Sequence, residues 1–328
     1  MKTKLILASL FVTLIALKSY AGVTGLVTVD GSSTVFPITE AVAEEFQIAN
    51  RGAKVTVGIS GTGGGFKKFC RGEIDISDAS RPIKAEEMQI CKDAGIQYVE
   101  LPVAYDALTI VVNPKNPLSS IKVEELKKMW QPEAQGVVTK WNQINPSWPN
   151  QNLKLYGAGS DSGTFEYFTE ATVGKAKSSR GDYTASEDDN VVVQGVATDV
   201  NGLGYFGYAY YAENQGKLKA LAIDNGKGPV APSKETVENG TYTPLSRPIF
   251  IYVNKKSLEK PQVKAFAQFY LAQAASLVAQ VKYVPLPAGT YQLVAERLNK
   301  QVLGTSFADV HAGSGLKVEQ VLAKSPKL

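Results

Sequence analysis

The chain has 328 residues, a formal net charge of +4, one histidine and two cysteines, and 44% of its residues are hydrophobic. That length admits two domains or one large one. The near-neutral balance argues against a nucleic-acid or membrane-surface binder, and a single His with two Cys argues against a zinc site. Lys2 and Lys4 precede an apolar-leaning run from Leu5 to Leu17, followed by small residues up to Ala21. This pattern predicts a secretory signal cleaved after Ala21, its apolar part too short for a stable membrane anchor. No Cys follows the cut to carry a lipid, so the expected product is exported and soluble, with Gly22 first and a charge of about +1 once Lys2, Lys4 and Lys18 are gone. In that setting Cys70 and Cys91 are expected to pair, closing a loop of about 20 residues and stabilising by roughly 3 kcal/mol on the chain-entropy model; two reduced buried thiols are the alternative.

Leu26–Val29 alternates as a strand does and ends in Asp30-Gly31-Ser32-Ser33-Thr34. Pro37 suits a first helical turn, and Ile38, Ala41, Val42 and Phe46 follow at helical spacing. Lys54–Val57 reads as a second strand running into the loop Ser60–Gly65, with a short helix carried by Phe66, Phe69 and Cys70. Ile74 and Ile76 suggest a third strand, ending in Ser77-Asp78-Ala79-Ser80-Arg81-Pro82, before a helix from about Lys84 to Asp93. Strand, polar loop, helix, repeated so, predicts an α/β layer with a largely parallel sheet and ligands beyond the carboxyl ends of its strands. Val103–Val112 reads as a crossing strand, followed by a helix at Val123–Trp130 and a stretch with Trp141 and Trp148. Leu153–Tyr156 is a further strand, and Phe165–Phe168 opens a helix. Beyond Val191–Val193 lies an aromatic run, Gly202–Tyr211, expected with the tryptophans in the core. Residues 224–247 read mainly as irregular connection. Pro248–Val253 is a second crossing strand, and Gln262–Val281 and Thr290–Asn299 are helical. No internal repeat is visible.

The chemistry concentrates where hydroxyls precede helices: Ser33 and Thr34, then Thr62, then Ser162 and Thr164 around Gly163. A helix start leaves N–H groups unpaired and carries partial positive charge, so Ser and Thr donors there make a site for a small anion. Plain N-capping is the alternative for any one loop; three such loops, with Ser80 and the planar donor fork of Arg81 beside them, favour the anion. Asp161 would repel an anion unless the ligand brings a proton, as hydrogen phosphate does and sulfate does not; a helix-start charge is its plainer role. Nucleotide-binding glycine patterns fail: Gly61–Gly65 runs into Phe66-Lys67-Lys68. Gly159-Ser160-Asp161-Ser162-Gly163 is not a nucleophile elbow, and a triad on the lone His311 has no support, so no catalytic residue is assigned.

Gly31-Ser32-Ser33-Thr34-Val35-Phe36-Pro37, Gly61–Phe69, Asp75–Pro82 and Ser160–Phe165, in that order, resemble the phosphate-binding proteins of ABC-type phosphate importers. Gly202–Tyr211 and Arg247–Val253 fit the same pattern, so the resemblance covers nearly all of the chain after the signal. It implies an α/β fold of two domains, the type II periplasmic-binding-protein fold, each a mixed, mostly parallel sheet flanked by helices, with the ligand in the cleft between them. The domains would be 22–105 with 247–328, and 106–246, after a signal at 1–21. The implied phosphate ligands are Thr34, the Val35 N–H, Thr62, Ser80, Arg81, Ser162, the Gly163 N–H and Thr164, with Ser33 and Asp161 as neighbours, and neither metal nor cofactor. Some members carry an Arg a few residues before Ser-Gly-Thr and an Asp at the Ser80 position; here Ala158 and Ser80 stand there, which leaves Arg81 as the cation and Asp161 as candidate proton acceptor. The expected role is a monomeric periplasmic phosphate receptor that serves an inner-membrane ABC permease and binds no nucleic acid. The rivals are a receptor for sulfate, molybdate or a phosphorylated organic ligand, a secreted hydrolase, and a secreted scavenger or adhesion protein.

Overall fold

The computed structural model describes residues 22–160, 162–308 and 317–328. The expected signal, Asp161 and His311 lie outside the described residues. In chain order the elements are β1 (Thr24–Gly31), α1 (Phe36–Ala49), β2 (Gly52–Ile59), α2 (Gly61–Cys70), β3 (Ile76–Ala79), α3 (Ala85–Asp93) and β4 (Tyr98–Val112). There follow β5 (Ser120–Lys122), α4 (Val123–Trp130), β6 (Lys154–Ala158), α5 (Gly163–Val173), β7 (Thr184–Ser186), α6 (Asp189–Thr198), β8 (Gly202–Gly207) and α7 (Tyr208–Asn214). The remainder comprises β9 (Lys219–Ala220), β10 (Ala222–Asp224), β11 (Pro229–Val230), α8 (Lys234–Glu238), β12 (Ser246–Asn254), α9 (Pro261–Gln280), β13 (Val284–Pro285), α10 (Ala288–Asn299) and α11 (Val318–Leu322).

One sheet runs through the molecule in the order β2-β1-β3-β12-β4-β8-β6-β7, with β13 and β9 also paired to β4. The strand β4 belongs to both halves: Tyr98–Ala107 pairs with β12, and Leu108–Val112 pairs with β8. All fifteen of its residues are buried, which is why Val103–Val112 reads as a nearly continuous apolar run. The two halves repeat one design. Strand β1 lies between β2 and β3, both parallel to it, with β12 antiparallel beyond β3. Strand β6 lies between β7 and β8, both parallel to it, with β4 antiparallel beyond β8. The repeat is one of topology, with no periodicity in the sequence.

Helices cover the sheet with apolar faces. Phe46 of α1 meets Phe266 and Phe269 of α9 edge-on at 5.2 and 5.4 Å, and Phe168 of α5 stacks on Tyr205 at 3.7 Å with Trp130 beside it. Two expectations need adjusting. The glycine loop is itself the first turn of α2, because its glycines offer no side chain to oppose close packing of the turn on β1 and β3. Tyr208, Tyr210 and Tyr211 are only half-buried, on the short helix α7 that packs over β4 and β8. Residues 224–247, between the end of β10 and the start of β12, hold one further short strand, β11, and one short helix, α8, within largely irregular chain. Cys70 and Cys91 form the expected disulfide, tying α2 to α3.

Within β4 sits a buried carboxylate. Glu100 is fully enclosed; it accepts hydrogen bonds from Tyr252 Oη at 2.7 Å, from the Ser306 N–H at 2.9 Å and from the Thr305 hydroxyl. Burial pushes its pKa up while these donors pull it down. Glu100→Ala would strand three buried donors, so it is expected to cost about 3–5 kcal/mol. Urea unfolding at neutral pH, read as a midpoint shift at constant slope, measures it.

Candidate functional site

The site is built at the carboxyl ends of the inner strands, where the chain leaves β1, β3 and β6 and where β2 runs into α2. Gly31 ends β1 at φ +145°, packed so tightly on β3 that a Cβ would lie 2.2 Å from the Asp78 carbonyl oxygen. Only glycine fits this combination of positive φ and close approach. The next residues turn sharply into α1. The Ser32 hydroxyl accepts from the Thr34 N–H at 3.2 Å, and the Ser32 carbonyl accepts from Val35 and Phe36. The Val35 N–H therefore has a partner inside the turn. The Thr34 side chain lies at the α1 start, buried, and Ser33 beside it is half-buried.

At the second helix start the expected cap is withheld. Ser60 occupies the N-cap position of α2 without bonding to that helix; its hydroxyl donates to the Asp30 carboxylate instead. Lys68 of α2 holds the other Asp30 oxygen at 2.6 Å. The first N–H groups of α2 are thus left without a side-chain cap. Thr62 in that first turn meets the third loop: its hydroxyl lies 3.0 Å from the Ser80 hydroxyl and accepts from the Ser80 N–H at 3.1 Å. Arg81 follows, with its Nη2 3.9 Å from where a Gly63 Cβ would stand. Gly65 packs on Gly31, where a Cβ would fall 2.6 Å from the Gly31 Cα, which fixes this pair of loops against the β1–α1 turn.

The other half of the sheet supplies α5. Ser162 is its N-cap and accepts from the Thr164 N–H at 3.1 Å. A Cβ on Gly163 would stand 2.7 Å from Thr34 Oγ1 and 3.0 Å from the Thr34 Cα and N. The start of α5 therefore abuts the start of α1. The structure brings together Thr34 with Gly163, and Thr62 with Ser80 and Arg81, and joins the two groups through Gly31 and Gly65. Asp161 lies outside the described residues. Among those described, no cluster of His, Cys, Asp or Glu could hold a metal ion.

Two acidic groups lie under this cradle, and neither leaves a bare negative charge there. Asp30 is paired with Lys68. Asp78 is fully buried, with neither oxygen in a hydrogen bond; the nearby Thr39 hydroxyl bonds the Tyr270 hydroxyl at 3.0 Å. Burial pushes the Asp78 carboxyl up to about 8, the Thr39 hydroxyl opposing and the Asp30 charge adding to the shift. At neutral pH it is mostly protonated.

Where the halves join, Arg247 of β12 bonds Asp106 of β4 at 3.3 Å and Glu170 of α5 at 3.4 Å, with its guanidinium 3.6 Å over the Tyr167 ring. Sequence reading found the hydroxyls and Arg81 from their places before helices. It missed Asp30, Lys68 and Glu170, because their partners lie far away in the sequence.

An open-cornered α/β layer with helix starts facing one another from two halves defines the periplasmic-binding-protein fold, mixed sheets flanked by helices. A family model described as a PBP superfamily domain matches residues 18–274. The chain is 56% identical over 284 residues to protein SphX of Synechococcus elongatus, covering 86% of this chain and 84% of that one. It is 39% identical over 272 residues to the phosphate-binding protein PstS of Staphylococcus saprophyticus, covering 81% and 82%. A crystal structure of a possible phosphate binding protein from Planctomyces limnophilus superposes with a TM-score of 0.82 at 49% identity, over 85% of this chain and 99% of that one. The chain belongs to the PBP superfamily and, within it, to the PstS-like family of phosphate-binding, substrate-binding transport proteins.

The Asp78 shift fixes a sign. Its folded pKa is above the ordinary 3.8, so its contribution to stability is full below about pH 4 and fades as pH rises toward 8. Asp78→Asn stays neutral throughout, so its stability relative to the parent protein should climb between pH 5 and pH 7 by about 2–3 kcal/mol, near 1.4 per unit. Denaturant unfolding of both proteins at the two pH values tests this; a gap independent of pH would mean Asp78 titrates normally.

Proposed function

We propose that this protein binds inorganic phosphate in the periplasm and delivers it to an inner-membrane ABC permease, by domain closure and without turnover. The observation that carries the reading is the contact of Gly163 with Thr34, which sets the start of α5 against the start of α1 beside an uncapped α2. Helix starts aimed at one point favour an anion, and Thr and Ser hydroxyls add orientable donors. In this reading Thr34, Thr62, Ser80, Arg81, Ser162, Gly163 and Thr164 hold the phosphate oxygens, with Ser33 and Val35 in the turn beneath. Asp161, placed from sequence alone, accepts the ligand's proton and rejects sulfate. Residues 22–105 with 247–328, and 106–246, are the two closing bodies, and the protein acts as a monomer. The absence, among the described residues, of any helix long and apolar enough to cross a membrane fits a receptor separate from its permease.

Calorimetric titration of ligand-stripped protein with phosphate and with sulfate, at pH 5 and pH 8, tests the reading. Stoichiometric phosphate binding with sulfate silent is expected; equal binding of both anions would remove Asp161 from the site, and binding of neither would overturn the assignment. Gly163→Ala supplies a sharper check. The added methyl meets Thr34 backbone, which cannot swing aside as a flexible side chain can, and Gly163 carries no positive φ of its own. Phosphate affinity should fall by about tenfold or more, equivalent to 1.4 kcal/mol, with unfolding of the free protein little changed.

A further inference from the structure

Arg81 does not reach the cradle as a free cation. Its Nη1 and Nη2 donate to the two Glu87 oxygens, each at 2.8 Å, and Nη1 also donates to the Pro82 carbonyl at 3.1 Å. The guanidinium lies 5.7 Å from the centre of the Phe66 ring. Glu87 is itself fixed, because its Oε2 accepts from the Lys84 N–H at 2.9 Å in the capping box that opens α3. The disulfide between Cys70 and Cys91 then ties α3 to α2, the helix whose first turn carries Thr62 and Gly63.

A guanidinium has five N–H bonds arranged in a plane. Glu87 takes the pair at the end of the fork, and Pro82 takes the remaining Nη1 hydrogen. What is left is Nε–H with the outer Nη2 hydrogen, the pair along the side of the guanidinium. Neither has a protein acceptor among the described residues, and Nη2 is the atom nearest Gly63. Two parallel donors at this spacing match two oxygens of one tetrahedral oxyanion.

We infer that Glu87 is a positioning residue for ligand recognition: it clamps the end of the Arg81 fork so that only the side pair, Nε–H and Nη2–H, faces the anion. The inference rests on the phosphate reading given above. An unclamped arginine could turn its end fork to the ligand or swing to solvent, and would lose affinity to that freedom. The carboxylate also offsets the Arg81 charge, so the cradle reads the ligand through directed hydrogen bonds more than through net charge.

A double-mutant cycle on inorganic phosphate affinity, measured by calorimetry on Glu87→Gln, Arg81→Ala and the double variant, tests this. Glu87→Gln keeps the side chain's shape and one acceptor but loses its charge. It is expected to weaken phosphate binding about tenfold in the parent protein and to have no effect in the Arg81→Ala background. A role only in folding would shift the thermal midpoint and lower affinity equally in both backgrounds, and that result would overturn the inference. So would unchanged affinity in Glu87→Gln alone while Arg81→Ala binds weakly; the phosphate reading would survive that outcome. If Arg81→Ala binds phosphate as tightly as the parent, Arg81 is not a ligand, and the reading of the site fails together with the inference.

Discussion

Backbone N–H groups at a helix start must find acceptors, and the rest of the site follows from how this chain withholds them. Ser60 stands where a cap would stand, yet Asp30 takes its hydroxyl. That diversion works because Asp30 is already drawn to Lys68, about two helix turns further along α2. The same ion pair keeps a bare carboxylate from opposing an anion at the loops above it. Asp78, on the neighbouring strand, reaches a similar end by another route: burial keeps its proton on. A positive helix start over two neutralised acids is an electrostatic arrangement with room for one small anion and little else.

The repeated strand order explains why the helix starts face one another. In each half the central strand, β1 or β6, lies between two parallel neighbours and ends in a loop that begins a helix. Because β4 pairs with β12 along one stretch and with β8 along the next, the two halves are held by the same backbone. Arg247 sits at this junction, bound to Asp106 on the crossing pair and to Glu170 on α5. The helix that brings Gly163 to Thr34 is thereby anchored to the strands about which any opening would occur.

Much of this was legible in the residues. The hydroxyl-bearing loops, the crossing strands and the helix at Val123–Trp130 follow from turn chemistry and apolar periodicity, both local signals. The disulfide followed from spacing and the expected compartment. What could not be read was pairing at a distance. Lys68 and Glu87 look like ordinary helix-surface charges, since nothing local says that Asp30 and Arg81 lie opposite them. Glu100, within an apolar strand, gives no hint that Tyr252, Thr305 and Ser306 will enclose it. The topological repeat was equally hidden, because a strand order leaves no period in the chain when the loops differ in length and the side chains differ in kind.

Rigidity in this site comes from linkage between layers more than from any one contact. Tyr252 donates to Glu100 deep in the core and accepts from the Ile83 N–H, two residues after Arg81. Its ring also meets Phe66 at 4.9 Å, and Phe66 in turn carries the Arg81 guanidinium. The cation is therefore fixed from below by an aromatic ladder and from the side by Glu87. The hydroxyls of Thr62 and Ser80 bond each other and keep freedom to rotate. Such a division suits recognition of a small ligand: the group of fixed direction is held by the fold, and the groups that must adapt to a protonation state are those whose hydrogens can turn.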